Sequence, residues 1–90
     1  MRARRYLIAG VVQGVGFRWF TQKLSRRTRM QGWVRNLPDG RVEVWAQAEQ
    51  GDWESWEAGL RQGPTGSRVS EVAIFAVSPD EGLTSFAITD

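Results

Sequence analysis

Residues 5–18 have the sequence RYLIAGVVQGVGFR, in which an apolar, β-branched run is followed by two glycines and then by Phe-Arg. The run predicts a buried central strand. The glycine pair after it predicts a tight turn. Phe20, Leu24 and Thr28 then recur every four positions, which predicts a helix over residues 19–29. The chain is therefore expected to begin with a strand, a turn and a helix in direct succession.

The rest of the sequence predicts four more strands and one more helix. Asp52 is a typical helix N-cap, and Gly63-Pro64 ends the helix that follows it. Leu37-Pro38-Asp39-Gly40 is typical of a hairpin turn. The predicted strands cover residues 32–36, 42–49, 69–77 and 84–88.

The order of the elements is β-α-β-β-α-β with a short C-terminal strand. This order predicts an α+β, ferredoxin-like two-layer sandwich, an antiparallel sheet with two helices on one face. Right-handed crossovers place the first and third strands side by side in the middle of the sheet. Ninety residues suit one domain, so residues 1–90 are expected to form a single unit. The fold class alone selects no function.

The composition narrows the chemistry. The chain has no histidine and no cysteine, which excludes disulfides, thiol nucleophiles, imidazole bases and the usual zinc sites. No apolar run approaches the roughly 20 residues of a membrane span. The basic N-terminus runs into a strand pattern without a signal cleavage site, so we expect a cytoplasmic protein.

Two segments carry candidate functional residues. The glycine turn before the first helix can direct several backbone N–H groups at one anion, and Arg18 adds a planar fork of donors. The alternative is an ordinary turn followed by a solvated arginine. Asn36 ends the second strand, where an asparagine can also serve only as a turn residue bonded to its own backbone. Physical reasoning alone leaves both alternatives open.

The segments IAGVVQGVGFR (residues 8–18) and GWVRN (residues 32–36), the second followed by Gly40 and Val42, resemble the two signatures of the acylphosphatase family. Similar residues continue to the end of the chain, at Gly63, Pro64, Arg68, Val69 and Phe86. Two long signatures in the right order and spacing are far more specific than either alone.

The resemblance implies hydrolysis of acyl phosphates to carboxylate and inorganic phosphate, without a metal or other cofactor. Asn36 would orient the attacking water, and a phosphate or sulfate ion would also fit the site. The phosphoryl group would be bound by Arg18 and by the loop residues Gln13, Gly14, Val15, Gly16 and Phe17. The chemistry is consistent with the lack of histidine, because a carboxylate, whose conjugate acid has a pKa of about 4, leaves without a general acid.

The five tryptophans have different expected places. Trp53 and Trp56 have helical spacing and are predicted to lie in the core. Trp33 and Trp45 are predicted to cover the open face of the sheet. Trp19 directly follows Arg18, where it would be a surface residue, a wall that shields the site from water, or a contact for the acyl group.

The sequence departs from the family pattern at two positions. Leu37 stands where some relatives carry a hydroxyl, so help from that group is absent, and Ala48 stands where a glycine is usual, which predicts a packing change away from the loop.

The same fold class also occurs in proteins with other functions. A nucleic-acid-binding module needs a basic, glycine- and aromatic-rich third strand, but residues 41–48 contain Glu43 and a single aromatic residue. A phosphate-binding domain without turnover, or one part of a larger carbamoyl-transfer protein, would keep the loop. The presence of both Arg18 and Asn36 argues against a loss of turnover, and in 90 residues we expect a single domain. The expectation is a free-standing monomeric enzyme with no nucleic-acid or membrane partner.

Overall fold

A computed structural model describes residues 1–89. The elements are β1 (Arg2–Val11), α1 (Phe17–Thr28), β2 (Gln31–Asn36), β3 (Val42–Ala48), α2 (Trp53–Gln62), β4 (Arg68–Val77) and β5 (Phe86–Thr89). Their order is the predicted one. The largest boundary differences are at β1, which begins three residues before the predicted start at Arg5, and at α1, which begins at Phe17 instead of Trp19.

The sheet has the strand order β4-β1-β3-β2-β5, with β1 and β3 adjacent as predicted. The pairs β1–β3, β1–β4 and β2–β3 are antiparallel. β5, however, pairs in parallel with β2, so the sheet is mixed and not wholly antiparallel. The reason is topological: β4 runs opposite to β2, and a strand that reverses after β4 and joins the edge at β2 has to be parallel to β2. The ferredoxin-like fold class is confirmed.

The core lies between the sheet and the two helices. Val42, Val44, Ala46 and Ala48 alternate along β3, so they share one face of the sheet, and all four are buried. Trp56 is completely buried, whereas Trp53 only packs against the edge of the core. Neither helix within residues 1–89 has the length and apolar character that a bilayer span requires.

The opposite face of the sheet carries charged and aromatic side chains side by side, with Trp33 and Trp45 paired across β2 and β3, and it is crossed by the connection from β4 to β5. Glu43 accepts hydrogen bonds from Arg5 (2.5 Å) and Arg35 (2.6 Å). Burial raises the pKa of Glu43, but these two hydrogen bonds outweigh it and hold the pKa below its usual value. The side chain of Gln47 bonds the backbone of Asp80 on both its N–H and its C=O, and so fixes the connection from β4 to β5 against the sheet.

Gly32 allows β2 to approach β3 at the point where the second signature begins. Its φ is +150°, and a Cβ built there would lie 1.8 Å from the carbonyl oxygen of Trp45. We expect Gly32→Ala to lower the free energy of unfolding by about 2–3 kcal/mol and the Tm by about 10–20 °C. Gly66→Ala is the control, because Gly66 has a positive φ but open space around it. If thermal unfolding showed the same decrease in Tm for Gly32→Ala and Gly66→Ala, the close approach of β2 to β3 at Gly32 would be contradicted.

Candidate active site

A cavity of about 230 Å³ opens between the β1–α1 loop and the end of β2. Its wall brings together five of the seven predicted site residues, which come from two distant parts of the chain. The full lining consists of Val12, Gly14, Gly16, Phe17, Arg18, Trp19, Asn36 and Ile88. The side chains of the two remaining predicted residues, Gln13 and Val15, lie elsewhere.

The two glycines of the loop have a conformation that other residues rarely adopt. Gly14 has φ +74° and Gly16 has φ +78°, and a Cβ at either position would meet no atom within 4 Å. Backbone conformation, and not lack of space, therefore favours glycine here. Turns built from such residues form concavities in which successive N–H groups can bind one anion.

The N-terminus of α1 forms one wall of the cavity. Gly16 is the N-cap, no side chain caps the helix, and the first turn contains no acidic residue. The first backbone hydrogen bond back to the cap is from the N–H of Phe20 to the oxygen of Gly16. The N–H groups before Phe20 lack intrahelical partners, and the helix dipole adds partial positive charge at this end. The wall is suited to an anion.

Arg18 supplies the full positive charge of the cavity. It is half-buried and forms no ion pair within residues 1–89, in contrast to Arg4, Arg5, Arg35 and Arg41, each of which is paired with a carboxylate. Among the residues that the structure describes, none that lines the cavity carries a carboxylate. The guanidinium group is thus available to a ligand, and its planar fork matches two oxygens of a phosphoryl group.

Asn36 is the last residue of β2 and faces the loop across the cavity. Its Oδ1 atom is buried and has no hydrogen-bond partner among the described residues. The alternative of a turn residue bonded to its own backbone is therefore not what the structure shows. Leaving a buried acceptor unpaired costs about 1–3 kcal/mol, so a donor in the cavity would be bound favourably here.

Gln13 connects the loop to the hairpin that follows Asn36. Its Nε2 donates to the carbonyl oxygens of Leu37 (2.8 Å) and Arg41 (2.9 Å). The side chain of Gln13 thereby fixes the distance between the loop and the end of β2 from outside the cavity. Leu37, which departs from the family pattern, contributes its backbone to this link.

Several lining residues were not predicted from the sequence as part of the site. Ile88 reaches the cavity from β5, and Val12 from the end of β1. Nothing in the sequence around Ile88 indicates this role, because its place depends on the parallel pairing of β5 with β2. Among residues 1–89 there is no group of three or more Asp, Glu, His or Cys side chains that could hold a metal ion.

Comparisons with known proteins agree on one family. The family model described as Acylphosphatase matches residues 4–88. An acylphosphatase of Koribacter versatilis is 45% identical over 94% of this chain and 77% of its own length. One from Thermococcus kodakarensis is 42% identical over 97% of this chain and 96% of its own. The crystal structure of acylphosphatase from Bacillus subtilis superimposes with a TM-score of 0.93 at 33% identity and covers both chains completely.

Proposed function

This chain belongs to the acylphosphatase family and hydrolyses acyl phosphates, and from that premise we propose that the reaction occurs in the cavity between the β1–α1 loop and Asn36. The observation that carries the proposal is the buried Oδ1 of Asn36, which has no hydrogen-bond partner within residues 1–89, in a cavity where Arg18 is the only charged side chain among those residues. Arg18 offers donors to an anion, and Oδ1 of Asn36 offers an acceptor to a water molecule.

Arg18 and the loop bind the phosphoryl group in this proposal. The guanidinium donates to two phosphoryl oxygens, and backbone N–H groups of Gln13 to Phe17 and the start of α1 surround the others. Phosphoryl transfer passes through a loose transition state with charge on the equatorial oxygens. Donors that are already in place stabilise that charge without reorganisation, and each is typically worth about 10²- to 10³-fold in rate.

Asn36 places the nucleophile. A water that donates to Oδ1 of Asn36 lies on the hairpin side of the bound phosphoryl group and attacks phosphorus in line with the leaving oxygen. The bond from phosphorus to the acyl oxygen breaks, and its electron pair leaves with the carboxylate. The proton of the water passes to a phosphoryl oxygen. No general acid is required because the carboxylate is a weak base.

The experiment follows benzoyl phosphate by ultraviolet absorbance in the presence of EDTA. We expect rapid hydrolysis at an undiminished rate, with competitive inhibition by inorganic phosphate or sulfate. Loss of activity with EDTA would overturn the metal-independent mechanism. Binding of phosphate without hydrolysis of the substrate above the buffer rate would instead favour a domain that binds phosphate and does not turn over.

We further propose a cytoplasmic monomer without a nucleic-acid partner. Small secreted domains commonly depend on disulfides, and this chain has no cysteine. On the open face of the sheet, the guanidinium groups of Arg5 and Arg35 both form ion pairs with Glu43. That pairing leaves the face poorly suited to phosphates of a nucleic-acid backbone. Light scattering after size-exclusion chromatography measures the molar mass in solution and so tests whether the protein is a monomer.

A further inference from the structure

A second concavity lies beside the cavity, between α1 and the segment that follows α2. This groove has a volume of about 590 Å³, and its wall includes Val15, Phe20, Lys23, Arg27 and Pro64 together with Trp19. The function proposed for the cavity does not use it. Its walls combine an apolar floor with cationic side chains, a combination that suits an amphipathic ligand.

The groove is continuous with the cavity at Trp19, which lines both. Trp19 is 61% exposed, an unusual state for so large an apolar side chain. The loop separates the two spaces: Gly14 and Gly16 line the cavity, and Val15 between them lines the groove. A molecule whose phosphoryl group occupies the cavity can therefore extend past Trp19 into the groove.

The charges of the groove are all positive. Lys23 and Arg27 are one helical turn apart on α1, and neither forms an ion pair with the carboxylates of residues 1–89. The Nζ of Lys23 lies 4.4 Å from the ring centre of Trp19, so a cation is held above the aromatic ring at the entrance. None of the described residues that line the groove is acidic. An anionic group at the far end of a ligand would be attracted there.

The reaction geometry selects the leaving group as the occupant. In an in-line displacement the leaving oxygen is opposite the attacking water. Asn36, which places the water, lines the cavity but not the groove. The leaving carboxylate therefore faces away from Asn36, and the groove, which shares Trp19 with the cavity and does not include Asn36, can receive it.

We propose that this groove binds the acyl part of the substrate and favours large aryl or extended alkyl groups with a carboxylate at the far end. The proposal rests on the phosphoryl site proposed above. Trp19 is then a specificity-determining residue that packs against the acyl group. Lys23 and Arg27 recognise its terminal charge.

The test compares kcat/KM for acetyl, benzoyl and 4-carboxybenzoyl phosphate. Ratios between substrates cancel any general effect of a substitution on the enzyme. We expect Trp19→Ala to lower the benzoyl-to-acetyl ratio about five- to tenfold. The double variant Lys23→Gln/Arg27→Gln should lower the 4-carboxybenzoyl-to-benzoyl ratio about fivefold. Arg26→Gln is the matched control, since Arg26 is an exposed cation of the same helix that lines neither space, and it should keep both ratios.

Two results would overturn the proposal. If both ratios stay at their wild-type values in Trp19→Ala and in the double variant, the acyl group does not occupy the groove, even though hydrolysis continues. If Arg26→Gln changes the carboxybenzoyl ratio as much as the double variant does, the effect is one of general charge. An error in the proposed phosphoryl site would give a different result. Arg18→Ala would then hydrolyse all three substrates at wild-type rates, and both proposals would be wrong.

Discussion

Arg18→Ala is expected to lower kcat/KM for acetyl phosphate by about 10³- to 10⁴-fold, the largest loss that any single substitution in this chain should produce. That loss corresponds to about 4–5.5 kcal/mol of transition-state stabilisation. The reason is that Arg18 is the only charged side chain of the cavity and has no carboxylate partner within residues 1–89. Both kcat and KM should change, because phosphate is bound in the ground state and more strongly in the transition state.

Further measurements separate this role from a general effect of charge. Arg18→Lys keeps the charge and loses the planar fork, so its kcat/KM should fall between those of the wild type and the alanine variant. The inhibition constant of inorganic phosphate should rise more than tenfold in Arg18→Ala. Arg26→Ala removes an exposed cation two helical turns away and should stay within about twofold of the wild type. An Arg18→Ala enzyme within threefold of wild-type activity would contradict the assignment.

Local patterns predicted most of the fold. The residues of β3 that face the core, the N-cap at Asp52 and the end of α2 at Gly63 depend on neighbouring residues, and the structure shows each of them. The direction of β5 could not be predicted in this way, because it depends on which edge the chain reaches after β4. The contacts of Gln47 with Asp80, 33 residues apart, fix that crossing, and no local pattern reports them.

Burial on the open face of the sheet also depends on contacts between residues that are distant in the sequence. Glu43 and Gln47 alternate with the residues of β3 that face the core, and they therefore lie on the face opposite the helices. Both are nevertheless buried, at 4% and 1% exposure. Glu43 is covered by the arginines that it binds, and Gln47 by the β4–β5 connection. Their burial is a consequence of tertiary contacts, which a period-2 pattern does not contain.

The candidate site was predictable only in part. The loop conformation and the position of Arg18 follow from two glycines before a helix. Asn36 lies across the cavity from the loop because the sheet has the strand order β1–β3–β2, which no local pattern specifies. The sequence did not predict the contacts of the Gln13 side chain, which connects the loop to the hairpin. A glutamine carries no signal of which carbonyl groups it will meet 24 and 28 residues away.

Asn36→Ala is expected to lower kcat for acetyl phosphate about 10²- to 10³-fold while KM stays within about twofold. A residue that orients water acts in the transition state and contributes little to the binding of the substrate. Stability offers a second, independent readout. Because Oδ1 of Asn36 is buried and has no partner among residues 1–89, its removal should leave the free energy of unfolding unchanged or slightly higher.

The kcat and the free energy of unfolding of Asn36→Ala together show whether Asn36 places the water or stabilises the turn. If Asn36 were mainly a turn residue, Asn36→Ala would lower the free energy of unfolding by about 1 kcal/mol in urea denaturation and change kcat little. Asn36→Asp refines the test, because it keeps nearly the same shape and an acceptor oxygen. Its negative charge beside the phosphoryl anion should raise KM, an effect that the neutral alanine does not produce. A low kcat, an intact fold and a KM that rises only in the aspartate variant would identify Asn36 as the residue that places the attacking water.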